Sequence, residues 1–247
     1  MTDPLAALRS VEAFEDLDAD ARGALYARVA AALGSDFRPM SDGVVHGPST
    51  TTFAVIPGGT FVMGLTDDDI ARASRSVPWD DDWAYSLSIE GQSAVPPTEV
   101  CVAPFLLERG PGVGATPRAE ALERAAGLGF RLPSEAELEW VIRDGGQEAL
   151  HLGARSLGDG RFEFRPSRFA LDGLFIAHWA QDDWFPSHAG APRDGSPRRG
   201  GDPRGVCRIT FPLPAFCCDE DVTALFAALR SPGTDAMPAV GRLALSL

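Results

Sequence analysis

The chain has 247 residues and a formal net charge of −13; 45% of its residues are hydrophobic, and every basic residue is arginine. The absence of lysine excludes Schiff-base and P-loop-lysine chemistry, and the acidic balance argues against a nucleic-acid partner. No apolar run is long enough to span a membrane, and no basic-then-apolar leader opens the sequence. These features predict a cytoplasmic protein without membrane contact.

The N-terminal residues have the pattern of a helical pair. In the first helix, apolar residues recur at intervals of three, at Leu5, Leu8 and Val11. Asp18 or Asp20 is suited to cap a second helix, because its side chain accepts a hydrogen bond from a free amide of the first turn. The apolar stripe of that helix is expected to comprise Ala21, Leu25 and Val29, with Gly34 at its end. The sequence therefore predicts a helical N-terminal extension over residues 1–38.

The remainder of the chain alternates short apolar segments with turns. Strands are predicted at 51–56, 60–64, 98–102 and 241–247, separated by segments rich in Gly and Pro. A helix is predicted over 116–126, with Pro117 at its first position. This order favours one α+β domain over residues 50–247.

The sharpest local pattern begins at Ser134. Glu137 follows three residues later, which is the spacing of a capping box, in which each side chain bonds the other residue's backbone amide. The acidic side chains of the first turns also favour the positive end of a helix dipole. The pattern predicts a helix whose core face carries Leu138, Val141 and Ile142.

Several segments carry patterns that occur together in one known family. Residues 56–64 are IPGGTFVMG and residues 131–140 are RLPSEAELEW. Weaker segments follow in order at 167–182, 206–211 and 240–244. Together they resemble the formylglycine-generating enzyme family, also called sulfatase-modifying factors, whose patterns include IPGGTFxMG and RLPTEAEWEY. The resemblance implies a C-type-lectin-like fold with little regular secondary structure.

The same resemblance implies a copper-dependent reaction whose ligands are not found at the matching positions of this chain. Active members oxidise a substrate cysteine with copper held by two cysteines near the C-terminus. Val222 and Ala227 occupy the matching positions here, and neither side chain binds copper. We therefore expect a divergent relative without that oxidase activity, acting as an accessory module that binds a protein or a small molecule. The alternative is a copper- or iron-dependent oxidase with displaced ligands, for which Cys217 and Cys218 are the catalytic candidates.

Tryptophans and one arginine are candidates for a binding surface. Tryptophan combines a large apolar area with a polar edge, which singles out Trp79, Trp83 and Trp184. Arg208 is the residue retained from the family's RGGS segment. Trp179 matches a framework tryptophan of the family and is expected in the core.

Metal-binding possibilities are limited. His178 and Asp182 are four residues apart and share a face if they lie on a helix, so they are candidate ligands; a buried histidine bonded to a carboxylate is the favoured alternative. The acidic residues 67–69 and 80–82 lack the alternating spacing of a calcium loop and predict a solvated segment. Copper or calcium is implied only by the family resemblance.

Overall fold

The computed structural model describes residues 4–69, 91–110, 114–146, 150–156, 162–164, 167–174, 177–208, 223–226, 230–233 and 239–247. Its helices are the 3-10 helices Pro4–Arg9 and Gly91–Ala94 and the α-helices α1 (Val11–Glu15), α2 (Ala19–Leu33), α3 (Arg118–Gly127) and α4 (Glu135–Ile142). Its strands are β1 (Phe37–Met40), β2 (Gly43–His46), β3 (Thr51–Ile56), β4 (Gly59–Met63), β5 (Thr98–Val102), β6 (Phe105–Glu108), β7 (Leu150–Ser156), β8 (Phe162–Phe164), β9 (His178–Trp179), β10 (Val206–Arg208), β11 (Thr223–Phe226), β12 (Arg230–Pro232) and β13 (Ala244–Ser246).

A five-stranded antiparallel sheet with the order β1-β2-β3-β6-β13 forms the centre of the fold. Strand β3 pairs with β6 in a register that places Ile56 opposite Phe105, and the last strand, β13, pairs with the other side of β6. Smaller sheets have the orders β12-β10-β9, β11-β7-β8 and β4-β5. The described chain is thus a mixed fold with small antiparallel sheets and few helices, in line with the coarse architecture predicted from the sequence.

The two faces of the central sheet are covered by different helices. Phe53 of β3 belongs to a hydrophobic cluster that contains Leu25 of α2. Ile56 of the same strand belongs to a second cluster that contains Trp140 of α4. Because successive side chains of a strand point to opposite faces, α2 covers one face of the sheet and α4 the other. The N-terminal helices therefore share a core with the sheet.

Most predicted elements occur close to their expected bounds. Asp18 caps α2, since the Ala21 amide donates to Asp18 Oδ1 at 2.8 Å, and Gly34 follows the end of that helix. Four details differ. The first predicted helix is divided at Ser10 into a 3-10 helix and α1, and its residue Leu5 is exposed. Ala21 is exposed and outside the apolar stripe of α2, Pro117 is the N-cap of α3, and the closing strand is confined to β13. No described helix is both long and apolar enough to cross a membrane.

Candidate functional site

Helix α4 lies inside the protein along its whole length. All of its eight residues are buried, including three glutamates. The predicted capping box is confirmed: the Glu137 amide donates to Ser134 Oγ at 3.1 Å, and the Ser134 amide donates to Glu137 Oε2 at 2.8 Å. Arg131 Nη1 lies 2.6 Å from Glu137 Oε2 and neutralises the charge of this glutamate. The other two glutamates need buried cations as partners, because an unpaired buried charge is very costly.

Glu139 connects three elements through its two oxygens. Its Oε1 accepts from the Gly64 amide at 2.7 Å and from Arg143 Nε at 2.8 Å, and its Oε2 pairs with Arg208 Nη2. Arg208 and Glu139 are fully buried. These bonds join the end of β4, helix α4 and strand β10.

Glu135, one turn earlier on α4, is the centre of a second group of bonds. Its Oε1 lies 2.5 Å from Arg230 Nε, 3.6 Å from Arg208 Nε and 3.4 Å from His188 Nε2. Its Oε2 accepts from Arg230 Nη2 at 3.0 Å. Glu135, Glu139, Arg143, Arg208, Arg230 and His188 together are called the Glu135 cluster below. Since Arg208 contacts both glutamates, the cluster is one connected network.

Both glutamates of the Glu135 cluster are held as anions. Burial alone would raise the pKa of Glu135, but the charges of Arg230 and Arg208 and the contact with His188 hold it well below its usual range. Burial likewise opposes ionisation of Glu139, and the charges of Arg208 and Arg143 lower its pKa. Carboxylates fixed in this way act as charge partners for the interior and are poor proton acceptors at neutral pH.

The Asp182 carboxyl group adjoins the cluster and, in the part of the chain that the structure describes, is bonded to two backbone amides. Its Oδ2 accepts from the Glu135 amide at 2.7 Å, and its Oδ1 accepts from the Arg198 amide at 2.7 Å. Burial and the negative charge of Glu135 raise the pKa of Asp182 to about 7, against the effect of the two amides. This carboxyl group therefore titrates near neutrality while it connects the start of α4 to the loop at residue 198.

His178 is bonded to an arginine in the described part of the chain. It lies on strand β9 and is fully buried, and Arg242 Nε donates to its Nε2 at 2.9 Å. A guanidinium always donates, so Nε2 carries no proton and its lone pair is engaged. Arg242 also donates to the carbonyl oxygens of Glu108 and Arg109, both at 2.7 Å, and its burial lowers its pKa to about 10.

His178 and Asp182, the pair predicted as possible metal ligands, lie on strand β9 and in the turn that follows it. His178 contacts Arg242, whereas Asp182 contacts two backbone amides. Among the described residues, no group of three or more His, Cys, Asp or Glu side chains is arranged to hold a metal ion.

Among the candidate binding residues that the structure describes, Trp184 is partly exposed. The guanidinium of Arg230 lies 4.4 Å from the centre of its ring, and the guanidinium of Arg198 lies 3.7 Å from the ring of neighbouring Phe185. These distances are within the range of cation–π contacts. Through Arg230, Trp184 contacts the Glu135 cluster. Trp179, by contrast, is a core residue as predicted, with 1% of its surface exposed.

The described cysteines differ in environment. Cys207 on β10 is fully buried, and burial raises the pKa of its thiol to about 12. Cys101 on β5 is exposed. The other residues predicted to matter lie outside the described residues: Trp79, Trp83, Cys217, Cys218, Val222 and Ala227.

Sequence reasoning missed part of the cluster. Arg143, His188 and Arg230 were not singled out, although Arg143 follows Glu139 at the spacing of a helical ion pair. Among the partners of Glu135, His188 and Arg230 are 53 and 95 residues away in the sequence, and no local pattern indicates them.

Comparisons with known proteins support the fold alone. No protein-family model matches the sequence, and no curated protein matches it. The structure is similar to that of PvdO from Pseudomonas aeruginosa, with a TM-score of 0.55 and 20% sequence identity. The similarity covers 80% of this chain and 95% of PvdO. The two chains share a fold.

Proposed function

We propose that this protein is a divergent relative of the formylglycine-generating enzymes that has a C-type-lectin-like fold and lacks copper-dependent thiol oxidase activity. It acts as an accessory module that binds a protein or small-molecule partner through its loops. The shared fold with PvdO and the ordered motifs of the sequence support the family assignment. The cytoplasmic location stays a prediction.

The observation that carries this proposal is that the charged side chains of the family-like segments form ion pairs inside the protein. The glutamates of residues 131–140 pair with arginines inside the protein, and Arg208 of the segment 206–211 is fully buried among them. Residues with such partners maintain the scaffold whether or not a reaction takes place. A scaffold motif therefore indicates the fold, and activity depends on a separate set of ligands.

The cysteines support the absence of the oxidase reaction. Copper ligation needs thiolates, and burial, which raises the pKa of the Cys207 thiol to about 12, opposes the formation of a thiolate there. By the family resemblance, the two ligand positions are occupied by Val222 and Ala227. Cys217 and Cys218 are adjacent in the sequence, and neighbouring cysteines rarely converge on one ion without backbone strain.

Copper loading of the purified protein tests the proposal. The chain is incubated with Cu(I), freed of excess metal and analysed for bound copper, beside the variants Cys217→Ser and Cys218→Ser and the matched control Cys101→Ser. We expect no stoichiometric copper and no oxidation of a peptide containing Cys-x-Pro-x-Arg. One copper per chain that is lost in either of the first two variants but kept in the control would establish the oxidase alternative instead.

A further inference from the structure

A serine and a histidine meet at the turn between strands β2 and β3, remote in sequence from the Glu135 cluster. His46 is the last residue of β2, and Ser49 lies in the four-residue turn that follows. His46 Nδ1 lies 2.8 Å from Ser49 Oγ. This is the distance at which an imidazole accepts the proton of a hydroxyl nucleophile.

The imidazole of His46 is held in a fixed position. Its ring centre lies 4.9 Å from that of Phe37 and 5.1 Å from that of Phe130, which meets it edge-on. His46 is buried, with 9% of its surface exposed. Aromatic packing on two sides restricts the orientation of the imidazole ring.

The hydroxyl of Ser49 is surrounded by further polar groups. It donates to Thr51 Oγ1 at 2.9 Å, and the Thr51 amide donates to Ser49 Oγ at 3.4 Å. A hydroxyl proton rotates to suit its acceptors, so the Ser49 proton reaches either Thr51 or His46. The next residue, Thr50, has a φ of 55°, in the left-handed region that threonine seldom adopts. Backbone strain of this kind is concentrated at functional sites.

Ser49 lines a cavity, whereas the buried His46 is not among the residues that line it. The cavity has a volume of about 350 Å³ and is lined by Ser49, Thr50, Thr51, Thr52, Glu108, Gly110 and Arg124. Its two charged side chains pair with each other, with Arg124 Nη2 2.7 Å from Glu108 Oε1. The lining thus offers hydroxyl groups and a neutralised ion pair, which suits a small polar and uncharged ligand.

We propose that Ser49 is an activated nucleophile that hydrolyses small polar esters, with His46 as its general base. Ser49 Oγ bonds to the ester carbon as its proton passes to His46 Nδ1. Because His46 does not line the cavity, solvent water relays a proton from the imidazolium to the alcohol as it leaves. Water then attacks the acyl-serine, and its proton returns through His46 to Ser49 Oγ. The sum is ester plus water giving acid plus alcohol, without a redox change.

Labelling with a fluorophosphonate tests the nucleophile. The probe forms an O–P bond to an activated serine and releases fluoride, and peptide mass spectrometry locates the adduct. We expect Ser49 to react at least tenfold faster than the exposed Ser41 of the same chain, and the variant His46→Gln to lose this advantage. Equal rates at the two serines, or an unchanged rate in His46→Gln, would overturn the proposal. The comparison of Ser49 with Ser41 within the native chain remains decisive if the variant fails to fold.

Ester turnover is the second readout. Release of p-nitrophenolate from p-nitrophenyl acetate is followed in the native chain, in Ser49→Ala and in the matched control Ser41→Ala. We expect turnover to fall at least tenfold in Ser49→Ala and to persist in the control. Turnover that Ser49→Ala does not lower would also overturn the proposal. The absence of lysine removes the side-chain amines that otherwise consume such esters.

Discussion

Each buried glutamate of α4 is matched to more than one donor, and this explains how acidic side chains reside in the interior. Glu139 has a backbone amide and two guanidinium groups as partners, and it is fully buried. A buried ion pair gains little over an apolar pair of similar volume, yet the loss of one partner strands the other in a medium of low polarity. The cluster therefore makes the fold sensitive to single substitutions.

Glu139→Gln is expected to lower the free energy of unfolding by about 3–5 kcal/mol, because it leaves Arg208 and Arg143 without their shared carboxylate. Urea unfolding of the variant and the native chain measures the change. Arg204→Gln serves as the control, since the Arg204–Asp202 pair lies at the surface and is expected to have no measurable effect. Equal midpoints for Glu139→Gln and the native chain would contradict a stabilising role of the cluster.

The raised pKa of Asp182 predicts that the stability of the fold depends on pH between mildly acidic and neutral conditions. Its pKa is raised from 3.8 to about 7 in the folded chain, so the folded state binds the proton more tightly than the unfolded state does. Its contribution to stability is therefore complete below about pH 4 and is lost as the pH rises through 7. The lowered pKa values of Glu135 and Glu139 act oppositely, but only in acid, where stability is lost as these groups become protonated.

The variant Asp182→Asn isolates this effect. Between pH 5 and 7, we expect the stability of the native chain relative to the variant to fall by up to about 1.4 kcal/mol per pH unit. The histidines contribute equally to both chains and cancel in the difference. Parallel curves for the two proteins, measured by urea unfolding at each pH, would show that Asp182 ionises normally.

At the scale of helices and strands, the features that could be predicted are those formed by residues close together in the sequence. The capping box of α4 and the Asp18 cap of α2 were predictable because each needs only residues within one helical turn. The hairpin of β1 and β2 was missed, since Pro39 interrupts the pattern of its first strand. The partners of Glu135 could not be predicted, because long-range packing brings them together.

The N-cap of α4 has a second bond that the sequence did not indicate. Ser134 Oγ accepts from the Glu137 amide and also donates to the Gly195 carbonyl oxygen at 2.7 Å, so the hydroxyl joins the helix to a loop. Ser134→Ala is expected to lower the free energy of unfolding by about 1–2 kcal/mol, at the upper end for a cap, because both bonds lie in the interior. Ser134→Thr keeps the hydroxyl and should retain part of this energy. Urea unfolding with an unchanged slope checks both variants.

At the scale of the whole molecule, the helical N-terminus and the sheet are expected to fold together. Leu25 of α2 and Phe53 of β3 are buried in one cluster, and strands β1 and β2 extend the central sheet. Removal of this region would uncover one face of β3 and β6. A long exposed apolar face is an aggregation hazard. The boundary between residues 1–38 and 50–247 therefore marks a change in sequence pattern, and we expect the two parts to depend on each other for folding.

A chain that begins at residue 50 provides that measurement. We expect it to be insoluble or to bind a hydrophobic dye, because Phe53, fully buried in the native chain, would face water. In the full chain, Leu25→Ala should lower the free energy of unfolding by about 2–5 kcal/mol, whereas Leu128→Ala, at a position 38% exposed, should have little effect. A soluble truncated chain with one cooperative unfolding transition would establish residues 50–247 as an independent domain. The helices would then be an appendage whose contacts with β3 are dispensable for folding.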